Sequence, residues 1–198
     1  MFRRAALAAA ALLILSTGSV SASTITVHIV NNAYNPKAPK ILPSWGVFWR
    51  NDSDTSHTVT ANVQAVWPGG TSPGTFAPGH AASVTFLHSG AYPYHCIFHP
   101  DQKGNIKVQM SSSPTSGNTS TNFTIRVATS NAASGFTHEV QRRKKGGTFS
   151  AWMSGAQQLF VFNPAPSETG VWQFRARYKK TSTGEKTDWS PTLSITVN

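Results

Sequence analysis

The feature that most constrains the fold is a series of short runs in which apolar and polar residues alternate. Ile25, Val27 and Ile29 occupy every second position of one such run, which is the side-chain period of a β-strand. Further runs of this kind occupy residues 47–49, 57–60, 82–86, 91–94, 105–108, 123–127, 138–141, 172–178 and 193–197. Gly, Pro and Asn separate them, and helical periodicity is absent beyond the amino-terminal segment. The sequence therefore predicts an all-β protein built from β-sandwiches.

A change of composition divides the chain into two parts. Residues 111–120 are rich in Ser, Thr, Gly and Pro and contain no large apolar side chain, which is typical of a linker. About 90 residues precede this segment and about 80 follow it, and each part is large enough for a small core. We predict one domain over 23–110, a linker over 111–120 and a second domain over 121–198.

The amino-terminal segment has the features of an export signal. Arg3 and Arg4 precede an apolar run over residues 5–15, and small residues follow at 20–22. The run is shorter than the ~20 residues of a membrane-spanning helix. We therefore predict a signal peptide over 1–22, no membrane span, and a secreted or extracytoplasmic protein in the periplasm, at the cell surface or outside the cell. The export route stays open between the general and the twin-arginine pathways.

The positive charge is concentrated in the second part of the chain. The net charge is +10, and residues 115–198 carry 10 basic and 4 acidic side chains against 5 and 3 in residues 23–114. The densest run, residues 142–145, is interpreted as a solvated strand end, with an anionic cell-surface polymer as the alternative partner. An exported protein is not expected to meet nucleic acid, and we expect a monomer.

The single cysteine is the centre of the predicted site. Cys96 cannot form an internal disulfide, and His99 follows it by three residues, while His57 begins an earlier strand. One soft thiolate with two imidazoles suits copper and is the donor set of a blue-copper electron-transfer centre. Zinc is the alternative metal, but structural zinc sites usually take four strong Cys or His ligands.

The first domain also resembles a known family. The matching segments are Tyr34, Pro36, Ile41, Pro43, Gly46, Trp49-Arg50-Asn51-Asp52, His57-Thr58-Val59, Pro78-Gly79, Gly90-Ala91-Tyr92-Pro93-Tyr94-His95-Cys96, His99-Pro100 and Lys103-Gly104. In these segments the chain resembles the cupredoxins of the plastocyanin and amicyanin type. The resemblance implies a Greek-key β-sandwich, one type 1 copper cycling between Cu(I) and Cu(II), and redox protein partners. It implies His57, Cys96 and His99 as the equatorial ligands.

One position departs from the resemblance. Similar family members carry methionine in a His-Pro-x-Met-x-Gly run, where this sequence has Gln102. Stellacyanin-like members use glutamine as the axial ligand, so the resemblance implies Gln102 as the fourth metal ligand through its amide oxygen. Because an amide oxygen is a harder donor than a thioether, it should favour Cu(II) and lower the reduction potential.

The resemblance also implies a docking surface around the second histidine of the site. Ile97, Phe98 and Pro100 would form an apolar patch around His99 through which electrons pass to a partner. The alternative is that Phe98 packs inward as part of the core.

The second domain resembles a fibronectin type III or similar immunoglobulin-like sandwich. The resemblance is carried by Glu139-Val140-Gln141-Arg142-Arg143, by residues 170–177 and by Asp188-Trp189-Ser190-Pro191 before the last strand. Such modules act as spacers or adhesive surfaces, and their fold does not determine a ligand.

No catalytic constellation accompanies the predicted metal site. Asp52, Asp54 and Asp101 are interpreted as turn residues, and no general base is indicated. We therefore predict a carrier of single electrons and not an enzyme, with the second domain serving localisation or partner binding. Two alternatives stay open: a copper-binding or copper-delivery protein without redox traffic, and an extracellular adhesion module that has lost its metal.

Overall fold

The computed structural model describes residues 23–198, and these form two β-sandwiches, which confirms the all-β prediction. Two short 3₁₀ turns, Gln64–Val66 and Pro68–Gly70, are the helical elements of this range. No helix within residues 23–198 has the length and apolar character needed to cross a membrane. The predicted signal peptide, 1–22, lies outside the described residues.

Nine strands form the first sandwich. In chain order they are β1 (Thr24–Val30), β2 (Ala33–Asn35), β3 (Lys40–Ile41), β4 (Trp45–Asn51), β5 (His57–Ala61), β6 (Gly74–Phe76), β7 (Ala81–Phe86), β8 (Gly90–His95) and β9 (Lys103–Val108). One sheet has the order β2-β1-β4-β7, and the other has the order β3-β9-β8-β5-β6. The pairs β1–β4 and β3–β9 are parallel, and the other pairs in these two sheets are antiparallel.

The alternation seen in the sequence supplies the core of this sandwich. Val27 and Ile29 are fully buried, and they join a cluster of aromatic side chains that includes Trp49 and Tyr94. The rings of Trp49 and Tyr94 meet edge to face with centroids 5.7 Å apart, a favourable aromatic geometry. This core holds the two sheets together and fixes β5 beside β8.

The register between β5 and β8 positions the predicted site. The two strands are antiparallel, with Thr60 opposite His95 and Ala61 opposite Tyr94. In this register the start of β5 lies beside the loop that follows β8. His57 and Cys96, which are 39 residues apart in the sequence, are therefore brought to the same end of the sandwich.

Eight strands form the second sandwich. They are β10 (Ser111–Ser113), β11 (Ser116–Gly117), β12 (Phe123–Arg126), β13 (Phe136–Lys144), β14 (Ser150–Gly155), β15 (Leu159–Phe162), β16 (Gly170–Lys180) and β17 (Leu193–Val197). The sheets have the orders β10-β12-β15 and β11-β17-β16-β13-β14. Phe123, Ile125, Phe174 and Ile195 are fully buried between them.

The segment predicted as a linker contains two of these strands. Residues of β10 pair with β12, and those of β11 pair with β17, so much of 111–120 is part of the second sandwich. Met110 also packs its side chain into the second core. Edge pairing of this kind uses backbone hydrogen bonds, so the small polar side chains gave no apolar pattern from which it could be predicted.

Backbone hydrogen bonds join the two sandwiches directly. The amide of Ser89 donates to the carbonyl of Val127 over 2.7 Å. Ala91 and Asp188 exchange two hydrogen bonds of 2.9 Å each. The two domains therefore meet along paired backbone and are not separated by a free segment.

Two histidines meet side by side at this junction. Nδ1 of His88 lies 3.0 Å from Nε2 of His138, and Nδ1 of His138 lies 3.0 Å from the carbonyl oxygen of Gln157. The His88 ring also stacks on the ring of Tyr178 at 4.1 Å. Burial lowers the pKa of His88 to about 4, with the neighbouring His138 as the second cause, and burial lowers the pKa of His138 to about 4. Both imidazoles are therefore neutral at pH 7.

Candidate metal centre

Three donor side chains converge at one end of the first sandwich. Ligand atoms of His57, Cys96 and His99 all lie within 4.8 Å of one another. Among the residues that the structure describes, this is the one group of three or more His, Cys, Asp or Glu side chains close enough to bind a single ion. The sulfur of Cys96 lies 3.9 Å from Nδ1 of His57 and 3.5 Å from Nδ1 of His99. A metal–nitrogen bond is about 2.0 Å long and a metal–sulfur bond about 2.3 Å. At an N–metal–S angle of roughly 110–120°, these bonds place the nitrogen and the sulfur about 3.5–3.7 Å apart. The spacing therefore suits one ion.

The loop after β8 folds His99 back towards Cys96. The amide of Cys96 donates to the carbonyl of Gln102 over 3.0 Å, and the amide of Gln102 donates to the carbonyl of His99 over 2.9 Å. These two bonds close the loop through backbone groups alone. The side chains of Cys96 and Gln102 are almost fully buried, and His99 is partly exposed.

Hydrogen bonds from the β5 strand hold the sulfur in position. The amide of Thr58 donates to Sγ of Cys96 over 3.2 Å. The hydroxyl of Thr58 accepts a 2.9 Å bond from the amide of Ile97, so the same residue also fixes the start of the loop. A donor directed at the sulfur stabilises the negative charge of a thiolate, which is the form that binds a metal.

A second contact orients the His57 ring. Nε2 of His57 lies 3.1 Å from Oγ1 of Thr55, whereas Nδ1 faces the interior of the site. A partner on one ring nitrogen fixes which nitrogen is available to a metal. His57 is fully buried, so its ring is held in this orientation by the surrounding sandwich.

The side chain of Gln102 lies beside the three donor side chains. Its Oε1 lies 2.8 Å from Nδ1 of His57, and its Nε2 is buried without a hydrogen-bond partner. Nδ1 of His57 and Oε1 of Gln102 are therefore in hydrogen-bond contact inside the site. The donor set of two imidazoles and one thiolate fits one type 1 copper.

The residues predicted to form a docking patch lie at the surface beside His99. Ile97 is 57% exposed and Phe98 is 52% exposed, and Pro100 is also exposed. The alternative in which Phe98 packs into the core is therefore wrong. Met110, the nearest thioether in the sequence, is part of the core of the second sandwich, so it does not join the metal cluster.

The other histidines differ in their surroundings. Nδ1 of His95 contacts Oδ1 of Asn62 at 2.7 Å, away from the cluster, as expected for a neighbour of Cys96 on a strand. His28 pairs with Asp52 at the surface. The buried pair of His88 and His138 was missed by sequence reasoning, because 50 residues separate them and neither has a distinctive motif.

Among known proteins, similarity to this chain was found in solved structures. No protein-family model and no curated protein matches the chain. A Cu(I) amicyanin in which a methionine is replaced by glutamine is 28% identical over 44% of this chain and 83% of that chain, with a TM-score of 0.39. A reduced amicyanin with proline replaced by phenylalanine is 26% identical over 43% and 82%, with a TM-score of 0.38. A purple cupredoxin from Nitrosopumilus maritimus is 24% identical over 42% and 98%, with a TM-score of 0.38.

Proposed function

We propose that this chain is an extracytoplasmic type 1 copper protein that carries single electrons between redox proteins. The observation that carries the proposal is the convergence of His57, Cys96 and His99 at distances that suit one ion, with Gln102 beside them. Copper bound by this donor set exchanges one electron between Cu(I) and Cu(II). The residues of the chain would bind the ion, fix the geometry of its ligands and limit the access of water to it.

The donor set favours copper over zinc. Structural zinc sites are usually closed by four Cys or His ligands, whereas this site offers three such ligands and an amide. Among residues 23–198, no carboxylate joins the cluster, so no general base is positioned for zinc-assisted hydrolysis. An electron carrier is therefore favoured over a hydrolytic enzyme.

The rigidity of the site supports electron transfer. Backbone hydrogen bonds close the loop between Cys96 and Gln102, and partners outside the site hold the His57 ring and the sulfur. Ligands that stay in place when the oxidation state changes require little rearrangement during transfer. A protein that delivers copper instead needs ligands that release the ion to an acceptor.

The exposed loop supplies a route to the partner. His99 is partly exposed, and its neighbours in the loop, Ile97, Phe98 and Pro100, expose apolar surface. Weak redox encounters use small interfaces, so a patch of this size suffices. We assign the second sandwich, a fibronectin type III-like module in this proposal, to localisation or partner binding.

A pair of measurements on the copper-loaded protein separates a carrier from a delivery protein. Electron self-exchange between the Cu(I) and Cu(II) forms is measured by NMR line broadening, and copper loss to a competing chelator is followed in parallel. A carrier exchanges electrons rapidly and retains its copper. Slow exchange together with rapid loss of copper to the chelator would contradict the proposal and favour delivery.

A further inference from the structure

A regular set of arginine pairs lies on β13 and β16, on the outer face of the β11-β17-β16-β13-β14 sheet. In the register of β13 and β16, three arginines each face an acceptor on the other strand: Arg143 faces Gln173, Arg175 faces Gln141, and Arg177 faces Glu139. Each arginine is hydrogen-bonded to the residue it faces through Nε, at 2.6–2.9 Å. Since residues 139, 141 and 143 alternate with inward-facing residues such as Val140, all three pairs lie on one side of the sheet.

Aromatic rings lie between successive arginines. The Phe149 ring centroid is 4.2 Å from Cζ of both Arg143 and Arg175. The Trp189 ring is 4.6 Å from Cζ of Arg175 and 4.1 Å from Cζ of Arg177. Cation–π contacts at these distances hold guanidinium groups in fixed orientations. We call these five residues the arginine ladder.

The positive charge of the arginine ladder is only partly neutralised. Arg143 and Arg175 bond to neutral amides, and within residues 23–198 Glu139 is the one carboxylate that pairs with this face, where it also serves Lys179. Burial lowers the pKa of Arg175, and the charges of Arg143 and Arg177 lower it further. With three guanidinium groups and Lys179 against the single carboxylate of Glu139, the face is a preformed positive surface.

The three arginines of the ladder also have more N–H donors than their hydrogen bonds within the described residues use. A guanidinium has five N–H donors. Bonds within the described chain use two of them on each of the three arginines. The remaining donors suit carboxylates, which accept charge-assisted bonds from arginine in a planar geometry.

The interval between successive arginine pairs of the ladder matches the side-chain interval of an extended anionic polypeptide. Successive pairs are two residues apart along the strands, which corresponds to about 7 Å. The side chains on one face of an extended polypeptide repeat at the same interval. We propose that the arginine ladder binds an acidic segment of a partner protein in extended conformation, with Asp or Glu at alternate residues. This proposal does not depend on copper.

Two synthetic decapeptides of equal charge test the match of spacing. One alternates Glu and Ser, and the other has five Glu followed by five Ser. We expect the full-length protein to bind the alternating peptide about tenfold more tightly in calorimetric titrations. Equal affinity for the two peptides would overturn the proposal, as would tighter binding of dextran sulfate or a single-stranded oligonucleotide at equal charge.

A matched pair of variants tests the location. Arg143→Gln with Arg175→Gln removes two charges from the arginine ladder. Lys144→Gln with Lys145→Gln removes two exposed charges, one at the end of β13 and one in the turn that follows. We expect the first variant to lose about tenfold in affinity for the alternating peptide, and the second less than about twofold. Equal losses would mean that net charge alone determines binding.

A conservative variant covers the case in which the glutamine variant does not fold. Arg175→Lys keeps the charge but removes the planar group that lies against Phe149 and Trp189. With circular dichroism unchanged, it should lose most of the preference for the alternating peptide over the block peptide. Full retention of that preference would contradict a role for the ordered guanidinium row.

Discussion

The metal end of the first sandwich and the junction between the sandwiches both bury histidines, but their hydrogen bonding differs. At the junction, His88 and His138 bond to each other, and His138 also reaches a carbonyl. At the metal end, Nδ1 of His57 contacts Oε1 of Gln102, and the Cys96 sulfur lies 3.9 Å from Nδ1 of His57 and 3.5 Å from Nδ1 of His99. The comparison therefore teaches that a thiol within reach of two imidazoles, and not the burial of histidines alone, distinguishes the candidate metal centre from the structural pair.

The largest expected difference between the two histidine clusters is the loss of copper affinity when a metal ligand is removed. We expect His57→Ala to weaken Cu(II) binding by more than about 100-fold, since even residues that only orient metal ligands contribute 10- to 100-fold. His88→Ala is the matched control at the junction and should leave copper affinity within about twofold. Competition with a chelator measures both. A similar loss in both variants would mean that the two clusters do not differ in function.

Lowering the pH should destabilise the folded protein through the two histidines of the junction, His88 and His138. Both have a pKa of about 4 in the folded chain, against about 6.5 when unfolded, so the unfolded state binds their protons first as the pH falls. Their contribution to stability is complete above about pH 6.5 and is lost between there and about pH 4. For His138 the loss is on the order of 3 kcal/mol by pH 4.

Urea unfolding of the copper-free protein at several pH values measures this loss. His138→Gln cannot gain the proton, so the difference in free energy of unfolding between wild type and variant should change with pH. Contributions from groups that both proteins share cancel in that difference. Tyr178 and Tyr92 also lie near His88, but they stay neutral throughout, because burial raises the pKa of both phenols. A constant difference from pH 7 to pH 4 would refute the assignment.

The axial position offers a smaller and more specific test. Gln102→Met replaces the amide oxygen with a softer thioether and should raise the reduction potential measured by voltammetry. Gln109→Met is a control for the same substitution elsewhere in the first sandwich and should leave the potential unchanged. If Gln102→Met gives no rise, Gln102 is not a ligand.

The smallest expected effect concerns the exposed loop. Phe98→Asp should slow electron exchange with a redox partner by about tenfold, because it places charge in an apolar docking patch. The copper spectrum should not change, since Phe98 is 52% exposed. Val161→Asp, at an exposed position of the second sandwich, is the control. A changed spectrum would instead place Phe98 in the packing of the site.

The sequence was most informative where neighbouring residues carry the signal. Alternation predicted the strands, and the spacing of Cys96 and His99 predicted that both side chains reach one point. Segment 111–120 was read as a linker because its strands pair through the backbone, which leaves no side-chain pattern. Arg142 and Arg143 were interpreted as a solvated strand end, but Arg142 lies over Trp172 and Arg143 lies against Phe149. Contacts between distant strands have no local signature.

The most direct test of the central proposal is the visible spectrum of residues 23–198 during titration with Cu(II). We predict an intense thiolate-to-copper band in the red region that saturates at one equivalent and is absent from Cys96→Ser. A colourless complex, or a band that persists without the Cys96 sulfur, would contradict a type 1 copper centre.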